Sequence, residues 1–458
     1  MSAAPVMAFA DLRRCISILA AALAMLAVAA PASAIEVQEI TSPGGIKAWL
    51  VEDHSIPLVS LSLAFRGGSV LDPAGKDGTA QLVAGLLDEG AGDLDSRAFQ
   101  QRLNELSIDW SFDAGIDDFT GGIRTLTENR DAAFDLLRLG ITKPRFDADP
   151  VERIRGQLMS ILAGDTGDAS SIASRAWWHV SYPGHPYSRQ TAGTAAGLKA
   201  ITAEDLRGYM KRVFARANLI VGVVGDITPG ELGPLLDKTF GELPEKGDVP
   251  KIDEAMPAAA GATVIVDRDI PQSVVLFGQE GVKRHDPDFF AAYVMNYILG
   301  GGGFTSRLTT EVREKRGLAY SVDTDLVTLD HTGIIMGYVA TKNESAAETL
   351  AVLRQEWARL GEEGPTPQET EDAKLYVTGS YALRFSSSQR IADILVGIQQ
   401  QGFGSDYFEK RNSYVEAVTP EDVRRVAKRL LDPNKLIVVV VGRPAGITAT
   451  APAPEGLF

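Results

Sequence analysis

The segment "ITAEDLRGYMKRVFARANLIVGVVGDI", beginning at Ile201, returns as "VTPEDVRRVAKRLLDPNKLIVVVVGRP", beginning at Val418. The offset is 217 residues and holds without a gap from Thr202/Thr419 through Leu219/Leu436 to Gly225/Gly442. A period this long marks a duplicated domain, not a solenoid of short units. Each copy specifies a capped helix and then a buried strand. Thr202 and Thr419 stand at the N-cap, with Asp205 and Asp422 three residues on. "LIVGVVG" and "LIVVVVG" are short β-branched runs that end in glycine. The fronts of the halves correspond more loosely: "IPLVSLSLAFRGGS" from Ile56 sits against "IPQSVVLFGQEGVK" from Ile270, an offset of 214.

The duplication divides the chain into a leader over 1–34, a first domain over 35–248, a second over 249–446 and a tail over 447–458. Each domain has about 210 residues. The join falls in Glu242–Ala262, which holds three prolines, several charges and an alanine run. The last dozen residues, "ITATAPAPEGLF", have the composition of a mobile tail. In the first domain, strands are expected at Lys47–Glu52, Leu58–Arg66 and Ile108–Ala114, and helices at Gly78–Glu89, Ser96–Leu106 and Asn129–Leu139. Strands of alternating polarity bury one face against helices. The expected class is therefore α+β: two homologous domains, each a mostly antiparallel sheet with helices packed on one face.

The leader has its own logic. Arg13 and Arg14 precede "CISILAAALAMLAVAA", followed by "PASA" with small residues at Ala32 and Ala34. This is the pattern of a secretory signal peptide cleaved after Ala34. The alternative, an uncleaved anchor, has only the 16 residues from Cys15 to Ala30 to span a bilayer. The sole cysteine, Cys15, lies in the leader, so the exported chain has no disulfide, thiol nucleophile or Cys-based zinc site. Cleavage moves the formal charge from −15 to −16. Such a surface repels nucleic acid and anionic lipid. The expected location is the periplasm, with no nucleic-acid partner and no membrane contact after cleavage. Composition of 45% hydrophobic and 23% charged residues is that of a globular chain, not of a disordered or coiled-coil one.

The candidate chemistry starts at "GTAQLVAGLLDEG", Gly78–Gly90. Ala80, Val83, Ala84 and Leu87 follow helical spacing, and Gln81 and Gly85 share a face one turn apart. The five histidines, His54, His179, His185, His285 and His331, are never within four residues of one another. Any of them is more readily a structural or surface residue than a ligand. A Ser–His–Asp triad is not excluded by spacing, although no G-x-S-x-G elbow is present. Gly300–Gly303 lack the Lys-Ser/Thr of a phosphate loop and fit a helix C-cap and turn.

Three stretches carry a family resemblance: "GTA" on the helix after a "GGS" strand end, "GHPYSRQTAGT" from Gly184, and "NYILGGGGFTSRLTTEVREKRGLAYSV" from Asn296 to Val322. Together with the two-domain plan they resemble the pitrilysin-type (inverzincin) zinc metallopeptidases, which include insulin-degrading enzyme and mitochondrial processing peptidase. The resemblance implies an H-x-x-E-H motif after "GTA", two histidines on zinc and a glutamate as general base. Here the three positions hold Gln81, Ala84 and Gly85. Glutamine is a poor zinc ligand, and alanine and glycine bring no donor. The family's third ligand, a glutamate, corresponds to the neighbourhood of Gln157 in "PVERIRGQLMSILAG", where Arg153–Gly164 contains no acid. No metal site is expected in this chain.

The second-domain motif stays intact. The resemblance implies that Arg313 and Tyr320 hold substrate backbone and the oxyanion of the tetrahedral intermediate. Each such donor is worth about 3–4 kcal/mol in comparable sites. It also implies a substrate contact at Gly301, Gly302, Gly303 and Phe304, since the non-zinc subunit of the mitochondrial enzyme has a glycine-rich loop there. Taken without the motif, Arg313 is a solvated helix charge and Tyr320 a half-buried strand residue.

The expected function is that of a non-zinc subunit in a heteromeric zinc metallopeptidase that cleaves unfolded peptides. The partner would be a homologous chain bearing H-x-x-E-H and the zinc. The alternative is a non-catalytic structural or peptide-binding homologue. An independently active zinc peptidase would need ligands that the sequence does not contain.

Overall fold

The computed structural model describes residues 36–456. The leader and its cleavage site lie outside the described residues. Among the described residues eleven strands form two large sheets, and a short pair, Gly90–Ala91 with Leu94–Asp95, stands apart. The first holds β1 (Gln38–Thr41), β2 (Lys47–Glu52), β3 (Leu58–Arg66), β4 (Asp109–Ala114), β5 (Asp118–Leu126) and β6 (Leu219–Gly225), in the order β1-β2-β6-β3-β5-β4. The second holds β7 (Thr263–Val266), β8 (Gln272–Glu280), β9 (Ala319–Thr328), β10 (Gly333–Lys342) and β11 (Ile437–Val441), in the order β9-β10-β8-β11-β7.

Apart from the edge strand β1, and read from opposite ends, the two sheets have one topology. In each, a parallel pair (β2/β6, β7/β11) leads into antiparallel neighbours (β6/β3, β11/β8), and the front strands then pair with a hairpin that ends the sheet. The duplicated helix–strand segment supplies Ala203–Val213 with β6 and Pro420–Leu430 with β11. Both helices begin with the expected capping box, Thr202 with Asp205 and Thr419 with Asp422. The glycine that closes each repeat strand has positive φ, 137° at Gly225 and 140° at Gly442. A Cβ at Gly225 would fall 2.1 Å from the Leu58 carbonyl oxygen, so only glycine fits there.

Each sheet packs its own domain's helices on one face. The opposite face is covered by a helix from the other half. Ala169–Ser181 leaves the first domain and lies on β8 and β11, with Trp177 fully buried and its indole N–H donating to the Ile437 carbonyl at 3.3 Å. Ser388–Gln400 of the second domain lies in return on β3 and β6, burying Ala392, Leu395 and Ile398 against Trp49, Val51 and Val224. At Gly222 a side chain would meet the Ala392 carbonyl oxygen at 2.7 Å, which sets how closely this helix approaches.

Residues 242–262 contain no helix or strand. Ala255 N–H donates to the His331 carbonyl, and Ala258 N–H donates to the Ser181 carbonyl, so this join touches both halves. The tail runs beside β7, where Thr450 and Ala451 N–H donate to the Thr263 carbonyl. No helix among the described residues is long and apolar enough to cross a membrane.

Candidate functional site

The helix expected over Gly78–Glu89 is shorter than its apolar spacing implied. It spans Thr79–Ala84, and Gly85 is its C-cap. The N-terminus is fixed by Asp72, whose carboxylate accepts from Gly78 N–H at 2.7 Å and Ala80 N–H at 2.8 Å. Burial pushes Asp72 up to about 6, against the pull of those two N–H groups. The helix stops where Ala148–Asp165 crosses it: a Cβ on Gly85 would stand 2.9 Å from Ile154 Cγ2. Apolar spacing continues past that point because turn residues Leu86 and Leu87 are buried as well.

The three degenerate positions are fully used by packing. Gln81 donates from its amide nitrogen to Asp113 Oδ1 at 2.9 Å and accepts from Ala114 N–H at 3.2 Å. Both bonds go to β4, the terminal strand of the first sheet. Ala84 is buried, and Gly85 lies under Ile154. Gln157 is exposed on the crossing helix. Arg153, one turn before it, ion-pairs with Glu89. A zinc ion does not fit this donor set: one neutral amide, already hydrogen-bonded at both ends, is the only side chain with a donor atom among the three. Among the described residues no group of three His, Cys, Asp or Glu side chains is placed to hold a metal. His54 meets Asp226 at 2.7 Å and Glu52 at 3.4 Å on the surface.

The second cluster lies at the end of the other sheet. Thr309–Glu314 is a wide helical turn that carries Arg313, and β9, the terminal strand, carries Tyr320. The helix Phe289–Asn296 continues into a wide turn at Tyr297–Gly301, with Gly302 N–H donating to the Tyr297 carbonyl at 2.8 Å. Gly303 then takes φ 57°, and the chain turns out at Phe304. A Cβ at Gly302 would touch the Tyr297 ring at 2.9 Å, so the turn lies flat on that ring.

These turns bring the expected residues together. The Arg313 guanidinium carbon is 4.6 Å from the Phe304 ring centre and 4.9 Å from that of Tyr320. Phe304 is 67% exposed and Tyr320 83% exposed. Arg313 has no ion pair or side-chain hydrogen bond among the described residues. Its donors are oriented by two rings and left open to solvent. Gly301 and Gly303 are exposed beside them, and Gly302 is half-buried. No hydrogen bond, ion pair or ring contact among the described residues joins this cluster to Gln81.

The stretch from Gly184 proves to be a structural joint. Tyr187 donates its hydroxyl to Asp117 at 2.8 Å and accepts from His331 N–H at 3.0 Å. Arg189 donates to the carbonyls of Val70 and Asp72 at 3.0 and 2.9 Å. Nothing in the sequence pointed to this joint, because its members come from four distant segments, around residues 70–72, 117, 187–189 and 331, with no shared pattern.

Comparison with known proteins agrees with this arrangement. The family profile described as Peptidase M16 inactive domain matches residues 200–376. The Non-peptidase homolog YmxG of Helicobacter pylori is 28% identical over 354 residues, covering 77% of this chain and 81% of that protein. An uncharacterized zinc protease of Streptomyces coelicolor is 24% identical over 424 residues, covering 88% and 89%. The crystal structure of a peptidase M16 inactive domain from Pseudomonas fluorescens superposes with a TM-score of 0.83 at 28% identity, over 92% of this chain and 100% of that one. By these comparisons the chain is similar to the M16, pitrilysin-type peptidases, with residues 200–376 matching their inactive domain, and it carries Gln81, Ala84 and Gly85 where that family's zinc motif would stand.

Proposed function

We propose that this chain is the non-zinc subunit of a heteromeric periplasmic metallopeptidase. It presents Arg313 and Tyr320 to peptide held at the active site of a homologous, H-x-x-E-H-bearing chain. One observation carries the reading: the Arg313 guanidinium lies against two exposed rings and makes no ion pair or side-chain hydrogen bond among the described residues. Burial does not demand such an arrangement, and it suits donors held ready for a carbonyl or an oxyanion. The same strand, β9, is a sheet edge, able to take an extended peptide by strand addition. Gly301–Phe304 lie next to it and would contact the same peptide. Zinc on the partner would supply the activated water; this chain's residues would bind and orient.

The test is reconstitution. The chain, the zinc-bearing homologue and their mixture are assayed on an unstructured fluorogenic peptide. Cleavage should need the mixture. Arg313→Ala and Tyr320→Phe should each lower kcat/KM by about a hundredfold, the scale of one lost oxyanion donor. Wild-type rates in both variants would sink the reading.

A second reading is favoured by the absent zinc ligands and by the relative named a non-peptidase homolog: a structural or peptide-binding protein on the same fold. It predicts that the homologue cleaves equally well alone.

A further inference from the structure

A cavity of about 900 Å³ lies away from both clusters, between the second domain's helices and the exchanged helix Ser388–Gln400. Its volume is that of a small-molecule or peptide-end pocket. Four arginines line it, Arg284, Arg384, Arg390 and Arg411, against one carboxylate, Asp393. Asp393 is already engaged, accepting from Ser62 Oγ at 2.5 Å and Gln389 Nε2 at 3.0 Å. The cationic lining is opposite in sign to the formal charge of the chain, −15.

Among the described residues these four arginines make no ion pair. Arg411, 5% exposed, donates only to the Val377 carbonyl and to Asn412 Oδ1, both at 2.9 Å. Arg284 lies over the Phe289 and Phe403 rings at 4.0 and 4.4 Å and donates to Gln401 Oε1 at 2.7 Å and to the Tyr407 hydroxyl at 2.5 Å. Its Nη1 is buried with no hydrogen-bond partner. Burial and the like charge of Arg411 both work against the charged form of Arg284. Arg384 and Arg390 are exposed at the mouth and make no ion pair among the described residues. The exchanged helix opens into the same space, with Ser387 as its N-cap. Guanidinium groups, a helix N-terminus and aromatic walls converge, and each favours an anion with an apolar body.

From this geometry we propose that the cavity binds a carboxylate attached to an apolar or aromatic group. The source is the C-terminal end of a peptide or a free organic acid. The site is separate from Arg313 and Tyr320, and its existence does not depend on the split-peptidase reading.

The test is calorimetric titration of the purified chain alone, without partner or hydrolysis, so its result is independent of reconstitution. The probes are N-acetyl-Ala-Ala-Phe as free acid and as C-terminal amide, 3-phenylpropionate, and inorganic phosphate. The free acid should bind at least tenfold more tightly than the amide. Arg384→Gln with Arg390→Gln, both exposed and so compatible with folding, should weaken it at least tenfold. Tighter binding of the tripeptide acid than of 3-phenylpropionate assigns the site to peptide ends; equal binding assigns it to free acids. Equal binding of acid and amide, an unaffected double variant, or displacement by equimolar phosphate would overturn the proposal.

Discussion

At the scale of single residues, the chain lacks the zinc-binding residues and carries an arginine, Arg313, that touches two rings but makes no ion pair among the described residues. The loss goes deeper than three letters. Restoring the motif by Gln81→His, Ala84→Glu and Gly85→His would place a Cβ 2.9 Å from Ile154 Cγ2 and release Gln81 from Asp113 and Ala114. Overpacking of this kind costs about 1–3 kcal/mol. The crossing helix would still offer no acid between Arg153 and Gly164. The triple variant should therefore melt earlier and hold no stoichiometric zinc by elemental analysis. One bound zinc per chain would show that the site is only point-deep. Arg313→Ala, by contrast, removes an exposed stacking contact of about 0.5–1 kcal/mol and should leave the melting temperature almost unchanged. The absence of ligands was legible in the sequence because donor chemistry is a property of residue identity. Ile154 over Gly85 was not, because two helices that cross carry no common spacing.

The elements show the same division. The repeat made the two helix–strand segments and their caps legible, and Gly225 and Gly442 turn out to be positive-φ closures that the repeat had kept in register. The helix exchange was not legible: an apolar stripe says that a helix is buried, not against which sheet. Two glycines separate packing from propensity. Gly222→Ala places a Cβ 2.7 Å from the Ala392 carbonyl oxygen and 2.9 Å from Leu395 Cβ. It should cost about 1–3 kcal/mol, read as a fall in urea midpoint with unchanged slope. Gly156 sits within the helix Ala148–Asp165 with nothing near its would-be Cβ. Gly156→Ala should stabilise by about 0.5–1 kcal/mol through helix propensity alone. A neutral Gly222→Ala would mean that the exchanged helix moves freely on the first sheet.

For the whole molecule, the duplication produces a self-complementary contact. The hairpin between β4 and β5 and its counterpart between β9 and β10 meet each other, with Asp330 N–H donating to Asp117 at 2.9 Å and Tyr187 donating to the same carboxylate. Equivalent turns from two copies of one fold face one another, as in a two-fold dimer. The exchanged helices lock the arrangement from either side. Asp117 bears the cost of that closeness: burial pushes it up to about 6, although Asp330 N–H and Tyr187 favour its ionised form. Burial also keeps the Tyr187 hydroxyl protonated. The sign of the stability effect follows from proton counting. Between the ordinary carboxylate value, near 4, and about 6, the folded chain holds a proton on Asp117 that the unfolded chain has released. Stability from this group is therefore lost as pH rises through that window and is constant below it. Asp117→Asn has no such titration. Urea midpoints of the two proteins should run parallel below pH 4 and diverge in favour of the variant as pH rises from about 4 to about 6, beyond which the gap stays fixed. A gap that does not change with pH would mean that Asp117 titrates alike in the folded and unfolded chain, and that the contact between the halves is open to water.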